Sequence, residues 1–210
     1  MPLDDTTEKA IVHVIEDDAR LCAALESLFD SVGLGTQTYA TALDFLNKRP
    51  ADAPGCIVTD IRLPGLNGLE FQARLPEIGI HLPVVVMTGY GDIPMTVRAM
   101  KRGAVDFLSK PFRDQDMLDA VMTAIQRDRE RRASDSEVSQ LRERFETLSP
   151  RERQVMLQVT TGKMNKQVAG DLGISEITVK IYRGAAMRKM GARRLADLVR
   201  MAERLRPKPL

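Results

Sequence analysis

Cys56-Ile57-Val58-Thr59-Asp60-Ile61-Arg62-Leu63-Pro64-Gly65 is the stretch that decides the fold of the first half of the chain. Ile57, Val58 and Thr59 form a short, mostly apolar run that ends in the carboxylate of Asp60, and Pro64, Gly65, Asn67 and Gly68 follow. An apolar run closed by turn residues predicts a buried parallel strand that delivers Asp60 to its carboxyl end. The pattern repeats on either side. Ile11-Val12-His13-Val14-Ile15 runs into Glu16-Asp17-Asp18. Val84-Val85-Val86-Met87 ends at Thr88-Gly89, and Val105-Asp106-Phe107-Leu108-Ser109 ends at Lys110-Pro111.

Between these strands the apolar residues recur at helical spacing. Leu21, Ala24, Leu25, Leu28 and Phe29 predict a helix over 20–32, stopped by Gly33. Further helices are expected over 41–48, 69–75 and 93–102, with another beginning at Asp114 and a polar edge strand over 36–39. Strands alternating with helices give a parallel sheet with right-handed crossovers. Five such units predict an α/β, flavodoxin-like (βα)5 domain with strand order 2-1-3-4-5.

Residues 126–147 read as a charged, partly helical linker, with Val138, Leu141, Phe145 and Leu148 on an apolar stripe. Ser149-Pro150-Arg151-Glu152 then reads as a capping box with proline at the first helical position. Asn165 is expected to cap a short helix to Leu172, and Ser175 a longer one to Met190 beyond the Gly173-Ile174 turn. A fourth helix covers 192–205. Two helices around a tight turn in a basic all-α unit read as helix-turn-helix. The expected division is a tail over 1–9, a first domain over 10–125, the linker, and a helical domain over 148–210.

A formal net charge of +2 hides an asymmetry. Residues 1–130 carry 13 Lys/Arg against 20 Asp/Glu, while residues 149–210 carry 14 against 5. An acidic half joined to a basic half suggests that the second half meets nucleic acid. No segment approaches the roughly 20 apolar residues that span a bilayer, and the polar N-terminus lacks a secretory h-region. Cys22 and Cys56 lie in apolar settings without a Cys-x-x-Cys or His partner, and read as reduced thiols of a cytoplasmic protein.

Acids at two adjacent strand ends repel unless neutralised, and carboxylates with waters and a phosphoryl oxygen suit Mg²⁺. Asp60, the acids after the first strand, Thr88 and Lys110, in that order, resemble the phosphoryl site of a response-regulator receiver. The run Thr88-Gly89-Tyr90-Gly91-Asp92-Ile93-Pro94-Met95-Thr96-Val97-Arg98-Ala99-Met100-Lys101-Arg102-Gly103-Ala104 is similar to receivers of the FixJ subfamily. Residues 148–200 resemble the LuxR-type DNA-binding domain. The match rests on Leu148 to Arg153, Gly162, Asn165 to Ala169, Leu172 to Ser175, Thr178-Val179-Lys180 and Lys189-Met190-Gly191. Ile181-Tyr182 and Gly184 depart from the family pattern.

This resemblance implies a DNA-binding transcriptional regulator, the output partner of a sensor histidine kinase. It makes Asp60 the phosphoacceptor, with Lys110 and Thr88 holding phosphoryl oxygens and Thr88 and Phe107 acting as the switch. Mg²⁺ or Mn²⁺ would sit on Asp17, Asp60, the Arg62 carbonyl and, through water, Glu16, with Asp18 as substitute should the register slip. Phosphorylation would promote a homodimer through Val97, Met100 and Val105. The long helix would read promoter DNA with Lys180 and Ile181, while Asn165, Lys166, Ser175, Thr178, Arg183 and Arg188 meet the backbone. RNA polymerase is a further implied partner.

Two other readings stand beside it. One is a regulator that binds DNA without phosphate. The other is a Mg²⁺-dependent aspartyl phosphatase, which would want a second acid two residues after the nucleophile, where this chain has Arg62.

Overall fold

The computed structural model describes residues 9–48, 50, 52–89 and 93–205, apart from the side chains of 93 and 94. The tail over 1–8 and the motif positions 90–92 lie outside them. The chain divides into two compact units, Met1–Arg132 and Ala133–Leu210.

The first unit holds a parallel sheet of β1 (Ile11–Ile15), β2 (Gly35–Tyr39), β3 (Gly55–Asp60), β4 (Val84–Thr88) and β5 (Asp106–Ser109), in the order 2-1-3-4-5 that the strand–helix alternation predicts. The helices are α1 (Ala19–Ser31), α2 (Ala42–Lys48), α3 (Gly68–Arg74), α4 (Ile93–Lys101) and α5 (Asp114–Glu146), and a 3-10 turn over Pro76–Ile78 precedes β4. The central strands are buried on both faces, so they read as nearly continuous apolar runs rather than alternating ones. Successive residues still point to opposite sides. Val12, Val14, Val58, Val85 and Met87 meet Leu25 and Phe29 of α1 and Met117 and Val121 of α5. Ile15, Ile57, Val84 and Val86 meet Phe45 of α2, Phe71 of α3 and Ala99 of α4.

His13 is buried in that second layer. Its Nδ1 lies 3.2 Å from the Tyr39 hydroxyl, and Phe45 stands edge-on at 5.5 Å. Burial lowers its pKa from 6.5 to about 4. A histidine neutral in the folded state and free to charge in the unfolded one contributes full stability above pH 6.5, and loses it progressively as pH falls toward 4. At pH 5 the expected loss from this group is about 2 kcal/mol relative to pH 7. Urea unfolding of wild type and His13→Gln across that window checks it; parallel pH profiles would remove His13 as the source.

The expected linker is not a separate segment. Residues 126–132 belong to the first unit, because α5 continues through them and Asp128 is fully buried. The rest of α5 belongs to the second unit, where Leu141 is buried in the core and Phe145 packs on it, with Leu148 beyond. That unit also holds α6 (Pro150–Val159), α7 (Asn165–Leu172), α8 (Glu176–Met190) and α9 (Leu195–Leu205) around Val155, Met156, Val168, Val179, Met190 and Leu198.

The capping box at α6 is formed: Ser149 Oγ accepts from the Glu152 amide at 3.3 Å and Glu152 Oε2 from the Ser149 amide at 2.7 Å. Lys189 binds the same carboxylate oxygen at 2.6 Å. Asn165 is not the cap of α7. Met164 occupies that position, and Gln167 Oε1 accepts its amide at 2.8 Å, so the polar partner comes from inside the helix. The last helix begins at Leu195, since 192–194 form its approach.

Candidate phosphoryl site and nucleic-acid interface

β1 and β3 are neighbours, with Ile15 opposite Thr59. The next residues, Glu16 just past β1 and Asp60 at the end of β3, therefore stand side by side. Both are nearly buried, at 3% and 7% exposure. Thr88 ends β4, fully buried, and pairs with Ser109 of β5. The Lys110 amide donates to the Thr88 carbonyl at 2.7 Å, which brings the lysine back toward the acids, and the Lys110–Pro111 peptide is cis. Lys110 Nζ donates to Asp60 Oδ2 and to Glu16 Oε2, each at 2.6 Å. The other Asp60 oxygen, Oδ1, accepts from the Arg62 amide at 2.9 Å.

The electrostatics follow from this bridge. Burial lifts the Glu16 carboxyl above the usual range, and the Lys110 ammonium offsets that only in part. Burial works against the charge of Lys110, but its hydrogen bonds to Asp60 and Glu16 outweigh it, so the amine ends above its ordinary value. One cation thus holds two carboxylates that would otherwise repel.

Asp18 is occupied elsewhere. Its Oδ1 caps α1, accepting from the Arg20 and Leu21 amides at 2.8 and 3.3 Å. Asp17 is left exposed beside the buried Glu16. Among the described residues no three metal-ligating side chains converge into a closed cage. Mg²⁺ does not need one: it is held by one or two carboxylates, waters and a phosphate oxygen. The hard-oxygen set of Asp17, Asp60 and Glu16 fits that habit.

Phe107 on β5 is half-buried, pairs with Val86 two positions before the Thr88–Ser109 pair, and packs against the layer that holds Val86 and Ala99. Val97 and Met100 of α4 are each 45% exposed. Val105 is not part of that surface. It is buried with Val85 and Met117 on the opposite side of the sheet, because it precedes β5 and faces α5.

Burial or a hydrogen bond accounts for both thiols. Cys56 is fully buried, which pushes its pKa up, and Cys22 Sγ donates to the Glu16 carbonyl at 3.5 Å.

In the second unit α7 and α8 meet around the Gly173 turn. Ser175 Oγ accepts the Thr178 amide at 3.1 Å and lies 2.8 Å from the Thr178 hydroxyl, which fixes the start of α8. Arg183 Nη1 donates to Asn165 Oδ1 at 3.1 Å, so these two hold α7 against α8. Lys166, Lys180 and Arg188 are exposed, as is Ile181. Sequence reasoning passed over Ile177, the most exposed large apolar side chain of α8 at 71%. The signal was available. The buried positions of α8 are Val179, Ala186 and Met190, and 177 lies off that period.

The family models match both units: the response regulator receiver domain over residues 12–122, and the bacterial regulatory proteins of the luxR family over 146–202. The chain belongs to the two-component response regulators that join a receiver to a LuxR-type DNA-binding domain, and among these it is of the FixJ kind. It is 57% identical to nodulation protein W of Bradyrhizobium diazoefficiens, over 96% of this chain and 88% of that protein. It is 45% identical to the transcriptional regulatory protein FixJ of Azorhizobium caulinodans, over 93% and 92%. Among solved structures it matches the response regulator StyR with a TM-score of 0.80 and 44% identity, over 93% of this chain and 98% of that one. It is thus a transcriptional regulator of a two-component system, and no helix among the described residues is long and apolar enough to cross a membrane.

Proposed function

We propose that Asp60 accepts a phosphoryl group from a phosphohistidine of a cognate sensor kinase in the cytoplasm, and that this controls promoter binding by α8. The observation that carries the reading is the Lys110 bridge: a nearly buried strand-end carboxylate held at 2.6 Å by an ammonium that also holds Glu16. A carboxylate oxygen of Asp60 forms the bond to phosphorus, the P–N bond breaks, and its electron pair returns to the imidazole. The Arg62 amide on Oδ1 orients the nucleophile. Lys110 is placed to neutralise charge on the transferred oxygens, and the Thr88 hydroxyl to bind another. Asp17, Asp60, the Arg62 carbonyl and, through water, Glu16 would hold Mg²⁺, which would neutralise charge on the phosphoryl group.

Thr88 and Phe107 act as the switch, since contacts made only with the phosphoryl group bias one of two states. Val97 and Met100 then form the homodimer contact. In the second unit Lys180 and Ile181 reach bases, and Lys166 and Arg188 reach phosphates. Ser175, Thr178, Asn165 and Arg183 position the helix that does so. RNA polymerase is the partner downstream.

The test is acetyl phosphate with Mg²⁺, read on a phosphate-affinity gel and by sedimentation. The expected result is a retarded band and a heavier species, both lost when EDTA removes the metal. A chain that binds duplex DNA fully while taking no label would favour the phosphate-independent alternative.

A further inference from the structure

α8 has one face that stays exposed among the described residues of its unit. Val179, Ala186 and Met190 are buried in the core, and Tyr182 and Met187 pack on its edge. On another side Ile177 is 71% exposed and Ile181 62%. Four residues apart, they stack on one face, and Gly184 follows on the same side after another turn. Glycine is the poorest residue but proline for a helix interior. A Cβ at Gly184 would meet only Arg188 Nη1, at 3.7 Å, an ordinary contact. Packing within the molecule therefore does not ask for glycine there. The surroundings are cationic: Lys180 is exposed between the isoleucines, Arg188 lies beyond Gly184, and Lys166 is exposed on α7.

An apolar strip with a gap in it, set among cations, suits a partner that is anionic outside and locally apolar within. The major groove is such a surface. The thymine C5 methyl is its one apolar group, and an isoleucine can contact it without hydrogen bonding to the other bases. A residue without a side chain is what a close approach of backbone to ligand requires. We propose that Ile177, Ile181 and Gly184 form a thymine-reading strip, the isoleucines on thymine methyls and Gly184 letting α8 seat close to the base edges. This rests on the reading of α8 as the DNA-binding helix and names what it reads.

The test uses the full chain, treated with acetyl phosphate and Mg²⁺, to recover duplexes from a pool with a randomised core. The recovered consensus is then synthesised with thymine or with deoxyuridine, which lacks only the methyl. Wild type is expected to bind the deoxyuridine duplex about fourfold more weakly per contacted methyl, the value of one buried carbon. Ile177→Ala with Ile181→Ala should bind the two duplexes alike. Gly184→Ala should melt at the same or a higher temperature yet bind at least tenfold more weakly. A structural role alone predicts no such opposition of signs. Equal wild-type affinity for the two duplexes, or undiminished binding by Gly184→Ala, overturns the strip and leaves DNA binding intact. Recovery of no duplex by wild type overturns the DNA reading, and the strip with it.

Discussion

Asp60→Asn is expected to take no label from acetyl phosphate, with no retarded band at any Mg²⁺ concentration. The amide is neutral, and its oxygen is too weak a nucleophile to displace a leaving group from phosphorus. The fold should survive. Asn keeps an oxygen for the Arg62 amide, now 2.9 Å from Oδ1, and Lys110 keeps Glu16 at 2.6 Å, so no buried cation is stranded. Loss of label with an unchanged thermal midpoint is thus the signature of a chemical role. Equal labelling of both proteins would move the acceptor to another carboxylate, Glu16, which shares the Lys110 ammonium with Asp60, or its neighbour Asp17.

Asp128→Ala should lower the stability of the first unit by about 3 kcal/mol, at the lower end of what removing one partner from a buried ionic cluster costs. The carboxylate is fully buried. It accepts from Arg131 Nη2 and Arg132 Nε at 2.7 Å each and from the Gly55 amide, where β3 begins, at 3.1 Å. Arg132 continues to Asp52 Oδ1 at 2.6 Å and the Ala53 carbonyl at 2.8 Å. Without Asp128 a buried backbone amide loses its acceptor and Arg131 and Arg132 each lose one carboxylate partner, Arg132 keeping Asp52. Those side chains are 34% and 27% exposed, so water recovers part of the loss, which sets the lower figure. Asp128→Asn should cost less, because it still accepts from Gly55. Urea unfolding with an unchanged slope measures both. A change under 1 kcal/mol for the alanine variant would show the cluster to be a solvated surface network.

The contrast between these two residues shows how much was legible in the sequence. Asp60 was legible only with its companions: one acid closing an apolar run is weak evidence, but the acids after the first strand, Asp60, Thr88 and Lys110, in that order at strand ends, together point to one site. Parallel-sheet order followed from the alternation of strands and helices. Asp128 did not announce itself. Its window, Arg127 to Arg132, is all charge and reads as solvent-facing. Its burial depends on Gly55, 73 positions earlier, and no local pattern carries that distance. The Lys110 bridge to Glu16 spans 94 positions and was likewise out of reach. Val105 erred for a related reason. An apolar residue at a strand's start fits a surface or a core equally well, and only the layer behind it decides. The cap of α7 was misplaced because Asn165 has the cap's chemistry while the backbone turns one residue earlier.

Gly68 bears on how a saturation library of this chain would be read. Its Cβ, were there one, would fall 2.1 Å from the carbonyl oxygen of Asp60, and its amide donates to the Ile61 carbonyl at 3.0 Å. Every one of the nineteen replacements would push on the backbone of the phosphoacceptor itself. In a screen scored on output alone, Gly68 would stand beside Asp60 as equally intolerant, although it holds no proton, charge or ligand. The two separate on the kind of intolerance. Asp60 rejects even its isostere Asn although the fold survives, whereas Gly68 rejects any added atom because the backbone must shift, so lost output with folding intact marks participation in the reaction and loss of both marks contact with the backbone.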